Sequence, residues 1–282
     1  MPLFALSLVL VAAFAHAGWN LFAKTAEGGT TFVWLGALAG TVLYLPVLVV
    51  ALIVAPGPLG ATAAGFMVVS GALHCLYFVL LQRGYRDGDL SLVYPLARGT
   101  GPLLATAAAI VFFAERPSLL ALAGGGLIVA AVLSLATRPT GPQGAGVLFA
   151  LLTGVSIAAY TLWDKQAVGD QELSPIVYLW GLQLVNVTLL SGWVLRSREA
   201  VRRTWRNSRR QALGVGLLSP LAYILVLYAL ARAPVSYVAP AREVSILIAT
   251  ALGTTVLAEE GIRHRLVAAG GIVLGIVALA LG

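Results

Sequence analysis

The 282-residue chain is predicted to be an all-α membrane protein, with ten transmembrane helices in two inverted five-helix repeats. Three observations lead there. The chain is 60% hydrophobic and only 10% charged, with mean hydropathy +0.94. Soluble domains carry roughly 25% charged residues, so this chain has too few polar groups to cover a water-facing surface. Its apolar runs are near the ~20 residues that cross a bilayer core. Finally, the two halves repeat each other at an offset of 144: Ala97/Ala241, Arg98/Arg242, Ala105/Ala249, Thr106/Thr250, Ala107/Ala251, Ala114/Ala258 and Glu115/Glu259 are identical, and the match runs on through Leu122/Leu266, Gly126/Gly270, Ile128/Ile272 and Val129/Val273. The duplication divides the chain into a first repeat, 1–138, and a second, 145–282.

The first expected span is 3–23. Its Ala15-His16-Ala17 ending looks like a signal-peptide cleavage site. Met1-Pro2 supplies no positive start, however, and the apolar run continues through Trp19, Leu21 and Phe22, so the segment is read as a retained helix. Spans at 31–54, 62–82, 90–113 and 118–137 complete the first repeat. A Pro/Gly-rich linker from Arg138 to Gly144 follows, then spans at 145–163, 174–195, 212–231, 235–257 and 265–281. All are expected to be helices, because an open strand edge cannot be satisfied in lipid. Five crossings start the second copy on the opposite side, which inverts the repeats. Gly36-x-x-x-Gly40 and Gly271-x-x-x-Gly275 suit close helix packing, inside the chain or between copies of it. Gly124-Gly125-Gly126 belongs with them and is no phosphate loop, since no Lys-Ser/Thr follows. A single Cys75 within an apolar run excludes a disulfide framework.

The net charge of +7 would suggest nucleic acid in a soluble protein. Here the bases flank hydrophobic segments. Thirteen Lys/Arg side chains fall in the odd-numbered loops, and only Arg116, Lys165 and Arg232 in the even ones. The positive-inside rule then places the odd loops in the cytoplasm and both termini outside, in a bacterial-type inner membrane. The arginines from 196 to 210 read as an anchor against anionic lipid. Trp34, Trp180, Trp193 and Trp205, near span ends, read as interfacial belts.

Tyr94-Pro95-Leu96-Ala97-Arg98-Gly99-Thr100-Gly101-Pro102, followed by Ala114-Glu115-Arg116-Pro117 and a Gly-rich apolar segment, resembles the EamA-type drug/metabolite transporters. Ala241-Arg242-Glu243-Val244-Ser245, running on to Ala258-Glu259, is similar to the second copy of that pattern, although Glu260-Gly261 departs from the basic residue usual there. The resemblance covers nearly the whole chain. It implies ten helices in two inverted repeats and export of small metabolites. The aromatic residues look most like the amino-acid exporter branch.

Polar groups inside spans are costly, so they are the candidate substrate residues. His16, Trp19, Asn20 and Ala23 share one face of the first span, lining a pore or hydrogen-bonding a neighbouring helix. Ser70, His74 and Tyr77 do the same in the third, where His74 suits either proton coupling or a structural role. Ser156, Tyr160 and Trp163 share a face of the sixth, with Asp164 and Lys165 at its end, and Tyr223 follows in the eighth. With Tyr94 and Tyr237 these aromatics can line a cavity of apolar walls and few polar anchors, and can attract an ammonium group. Arg98 and Arg242 can grip a carboxylate or brace helices broken by proline. Glu243 has Gly99 as its counterpart; that asymmetry suits function or a local ion pair with Arg242. Ser245, in the second copy of the motif, completes the candidate set.

The leading reading is a secondary transporter exporting small amphipathic metabolites, most of all neutral or aromatic amino acids, by alternating access. The rival in the same class is an antiporter for phosphorylated or nucleotide-linked sugars, with Arg98, Lys165 and Arg242 as anion clamps. A membrane enzyme or channel is the other class. Neither His-Glu-x-x-His nor Gly-x-Ser-x-Gly occurs, and no filter loop is visible. No cofactor, metal ligand, catalytic residue or nucleic-acid partner is expected. The expected partners are a small-molecule substrate and membrane lipid, with a monomer sufficient for function.

Overall fold

The computed structural model describes residues 1–55, 57–136, 144–248 and 262–282, and every regular element among them is a helix. In chain order these are α1 (Leu3–Lys24), α2 (Gly29–Leu43), α3 (Leu45–Val54), α4 (Ala61–Asp87), α5 (Leu90–Phe112) and α6 (Leu119–Ser134). They are followed by α7 (Gly144–Lys165), α8 (Pro175–Val194), α9 (Arg198–Arg232), α10 (Val235–Ala241) and α11 (Ile262–Leu281). Among the described residues, six helical segments are long and apolar enough to cross a membrane: Leu3–Lys24, Ala61–Asp87, Leu92–Phe112, Gly144–Asp170, Pro175–Val194 and Arg198–Arg232. α2 and α3 make a seventh if they count as one span bent by 43°. The bend falls at Tyr44, just before Pro46, whose ring removes a backbone donor from the first turn of α3. Leu119–Ser134 and Val267–Leu281 are apolar but shorter. The expected span 235–257 starts as α10, and residues 244–248 are again helical. Its continuation, with Ala249 to Glu259 of the repeat, lies outside the described residues, as does most of the linker.

The arginine cluster is helical, where the sequence suggested a loop. Ser197 caps α9 by accepting from the Ala200 N–H, Glu199 sits in the first turn, and arginine is a good helix former. The helix kinks at Ser208, which leaves the helical region at φ −129°. There the Ser208 hydroxyl accepts from the Glu27 N–H at 3.1 Å, tying the basic segment to the α1–α2 turn.

α1 packs against α9, and α4 against α7. α2 lies against α9 and α8, α4 also against α8, and α6 against α11. α5 is held between α7, α6 and α10. Glycines bring two of these pairs close. A Cβ on Gly40 would fall 3.1 Å from the Gly216 carbonyl oxygen, and one on Gly124 would fall 2.6 Å from that of Gly275. Both Gly-x-x-x-Gly faces are therefore used inside the chain. Gly124→Ala is expected to lower stability by about 1–3 kcal/mol through overpacking. Thermal unfolding in detergent checks this, with Gly126→Ala as the neutral control, since its Cβ would meet nothing within 4 Å.

Two of the presumed belt tryptophans are packing residues. Trp34 is only 7% exposed, and its indole N–H donates to the Val187 carbonyl at 3.2 Å and the Ser191 hydroxyl at 2.9 Å. Trp180 donates to the Thr41 carbonyl at 2.9 Å. Both stitch α2 to α8, because an indole turned inward must find a partner for its N–H. Trp193 and Trp205 are exposed as expected. The repeated motif glutamate also finds a role. The Glu115 carboxylate accepts from the Val235 and Ser236 N–H groups at 2.7 and 2.9 Å, placing an anion at the N-terminus of α10.

Candidate functional site

α5 carries Pro95 and Pro102 inside the helix, and Arg98 stands between them. α10 packs on α5, so the turn that follows it lies opposite Arg98. The Arg98 Nε–H donates to Glu243 Oε2 at 3.0 Å, and Nη2 reaches the Ser245 hydroxyl at 3.4 Å. All three residues are buried. The expected local pair of Glu243 with Arg242 does not form: Glu243 pairs with Arg98, in the other half of the chain. Successive residues on a helical turn point in different directions, so Arg242 and Glu243 serve different neighbours.

Among the described residues the most enclosed acidic or basic side chain is Asp164, which is 0% exposed. Sequence reading set it at the end of a span beside Lys165, as though at an interface. Instead α7 continues to Lys165 and passes into a π-helical turn, Gln166–Asp170. Such turns concentrate at functional sites. Asp164 Oδ1 accepts from the Ser70 hydroxyl of α4 and the Tyr178 hydroxyl of α8, both at 2.6 Å. Oδ2 accepts from the Tyr223 hydroxyl of α9 at 2.5 Å. Four helices thus meet at one carboxylate. The signal was present: Ser156, Tyr160 and Asp164 follow one another at four-residue spacing on one face.

Aromatic residues continue from this point. His74 stacks on Tyr160 at 4.1 Å between centroids and meets Tyr223 edge-on at 5.3 Å. Its Nδ1 lies 2.9 Å from the Ser70 carbonyl. Tyr160 also contacts Tyr77 at 6.0 Å and Tyr223 at 6.3 Å. The Arg242 guanidinium lies over the Tyr223 ring, 5.5 Å from its centroid. Among the described residues Arg242 has no carboxylate within 4.0 Å. His16 lies in the field of both Arg98 and Arg242, and the phenols of Tyr77, Tyr94 and Tyr160 lie in that of Arg98. The arrangement is one central cluster of histidine, tyrosines and charges, with its polar groups turned toward one another.

The other candidates make contacts of their own. Trp19 meets His16 edge-on at 4.8 Å, and the Asn20 amide donates to the His16 carbonyl of its own helix at 2.8 Å. Trp163 lies against Phe66 at 4.6 Å and donates to that residue's carbonyl at 3.0 Å, fastening α7 to α4. Tyr237 stands apart: its hydroxyl donates to the Gly282 carbonyl at 3.2 Å and accepts from the Ser118 N–H at 3.4 Å. Lys165 points away, donating to the Leu230 and Ala233 carbonyls at 2.6 and 3.2 Å at the end of α9.

No curated protein matches the chain. A crystal structure of a protein superposes with a TM-score of 0.79 over 98% of this chain and 97% of its own; at 15% identity the likeness is one of fold. Residues 144–281, which contain α7 to α11 with Asp164, Tyr223, Arg242 and Glu243, match the family model of the EamA-like transporter family. The chain is a multi-pass membrane protein that carries an EamA-like transporter family domain at residues 144–281.

Proposed function

We propose that this protein exports small amphipathic metabolites, foremost neutral and aromatic amino acids, by alternating access between two inverted repeats. The observation that carries the reading is Arg242. Its guanidinium makes no salt bridge within 4.0 Å among the described residues, and it stands over the Tyr223 ring, which His74 and Tyr160 adjoin. A guanidinium so placed suits a substrate carboxylate, and the surrounding rings suit an apolar side chain. Two of the three cations that would clamp a sugar phosphate are already engaged, Arg98 by Glu243 and Lys165 by backbone carbonyls. That favours the amino acid over the anionic rival.

Packing supports the ten-span, two-repeat organisation, with a first repeat at 1–138 and a second at 145–282. Exchanging first-half helices for their second-half counterparts turns the α1–α9 contact into α7–α4, and α2–α9 into α8–α4. The α6–α11 and α5–α10 contacts map onto themselves. The positive-inside count supports odd loops in the cytoplasm of a bacterial-type cell and both termini outside. A single copy holds the whole central cluster, which supports the reading that a monomer suffices.

Transport in proteoliposomes tests the function, with labelled neutral and aromatic amino acids beside a sugar phosphate and a nucleotide sugar. Several amino acids are expected to move, and the phosphorylated compounds are not. Movement of only the anionic compounds would transfer the site to the antiporter reading.

A further inference from the structure

The central cluster holds a second charge without a counter-ion. Asp164 is held by three hydroxyls, those of Ser70, Tyr178 and Tyr223. Among the described residues no Lys, Arg or His nitrogen lies within 4.0 Å of it. Buried charges are ordinarily paired, because an isolated one is expensive in a low-dielectric setting. Arg242 likewise makes no salt bridge within 4.0 Å among the described residues. The two are joined by one side chain: Tyr223 donates its hydroxyl proton to Asp164 Oδ2 and presents its ring to Arg242.

We infer that Asp164 selects the cationic end of the substrate through the Tyr223 hydroxyl, so that the site recognises a zwitterion, with its ammonium at Tyr223 and its carboxylate at Arg242. The inference rests on the amino-acid reading and narrows it. Asp164 is too enclosed to touch a substrate in this structure and acts as a positioning residue. With its proton committed to Oδ2, the Tyr223 oxygen keeps its lone pairs free to accept a hydrogen bond from an ammonium. The carboxylate behind it polarises the phenol and strengthens that bond. His74, stacked on Tyr160 and edge-on to Tyr223, adds ring surface beside the ammonium. A plain carboxylate would leave Asp164 uncompensated, and a plain amine would leave Arg242 so.

The test is exchange of labelled phenylalanine in proteoliposomes, competed by unlabelled phenylalanine, 3-phenylpropionate (no ammonium) and 2-phenylethylamine (no carboxylate). The wild type is expected to need at least about 10-fold more of either analogue than of phenylalanine for half-inhibition, as for loss of one charged hydrogen bond. Asp164→Asn keeps acceptors for Ser70 and Tyr178, and it is expected to narrow the phenylalanine-to-phenylpropionate ratio about 10-fold. A merely structural Asp164 would lower the rate and leave that ratio unchanged, which overturns the inference. So would a wild type that accepts phenylpropionate as readily as phenylalanine. If Asp164→Asn does not fold, Tyr223→Phe is expected to narrow the ratio in the same way, and an unchanged ratio there is equally fatal. Absence of any phenylalanine exchange would instead sink the amino-acid reading, and the zwitterion site with it.

Discussion

Arg98→Met is expected to destabilise the protein by about 3–5 kcal/mol, because it strands the buried Glu243 carboxylate without its hydrogen-bonded ion-pair partner. The loss comes less from a favourable bond than from the uncompensated charge left behind. A double variant, Arg98→Met with Glu243→Leu, removes both charges together and is therefore expected to recover most of the stability. Thermal unfolding of purified protein in detergent compares both variants with the wild type. The outcome also decides between the two roles open to Arg98. A substrate-binding arginine would lose transport at unchanged stability and would not be rescued by removing its partner. Arg98 spans the two halves of the chain through Glu243 and Ser245, so its removal loosens the contact of α5 with the turn after α10.

Arg242→Gln is expected to behave in the opposite way. It breaks no ion pair with any described residue, so stability should stay within about 1 kcal/mol of wild type, the scale of its contact with Tyr223. Transport of amino acids is expected to fall by about 10–150-fold, the loss of charged hydrogen bonds to a carboxylate. Arg242→Lys should restore part of it, since an ammonium supplies the charge without the planar fork that grips a carboxylate at two points. Uptake kinetics in proteoliposomes check both variants. A wild-type rate for Arg242→Gln would remove the residue from the substrate site.

Opposite behaviour of two duplicated arginines was only half legible in the sequence. Periodicity placed Ser70, His74 and Tyr77 on one face and Ser156, Tyr160 and Trp163 on another, and those faces do meet, His74 stacking on Tyr160. A helical face is a local property and survives translation from sequence to structure. Partner choice is not local. Glu243 passes over its neighbour Arg242 for Arg98, 145 residues away, because helix packing sets which side chains converge. Asp164 was undervalued for a related reason. At the end of an apolar run beside a lysine, a carboxylate normally faces water. Here the helix continues into a π-helical turn and the carboxylate is enclosed. Trp34 and Trp180 misled through position along the chain, which says how deep a side chain sits and nothing about the direction it faces.

The pairing of Arg98 with Glu243 also bears on how the protein is made. The two residues leave the ribosome 145 positions apart. At about 5–20 residues per second, Arg98 waits roughly 7–30 s before its counter-charge exists. An arginine at the centre of an inserting helix costs about 2.5–3.5 kcal/mol, and α5 carries it alone throughout that interval. The first half is thus expected to carry an uncompensated charge until the later segment arrives. Nascent chains arrested before Glu243 should be the form most exposed to membrane proteolysis.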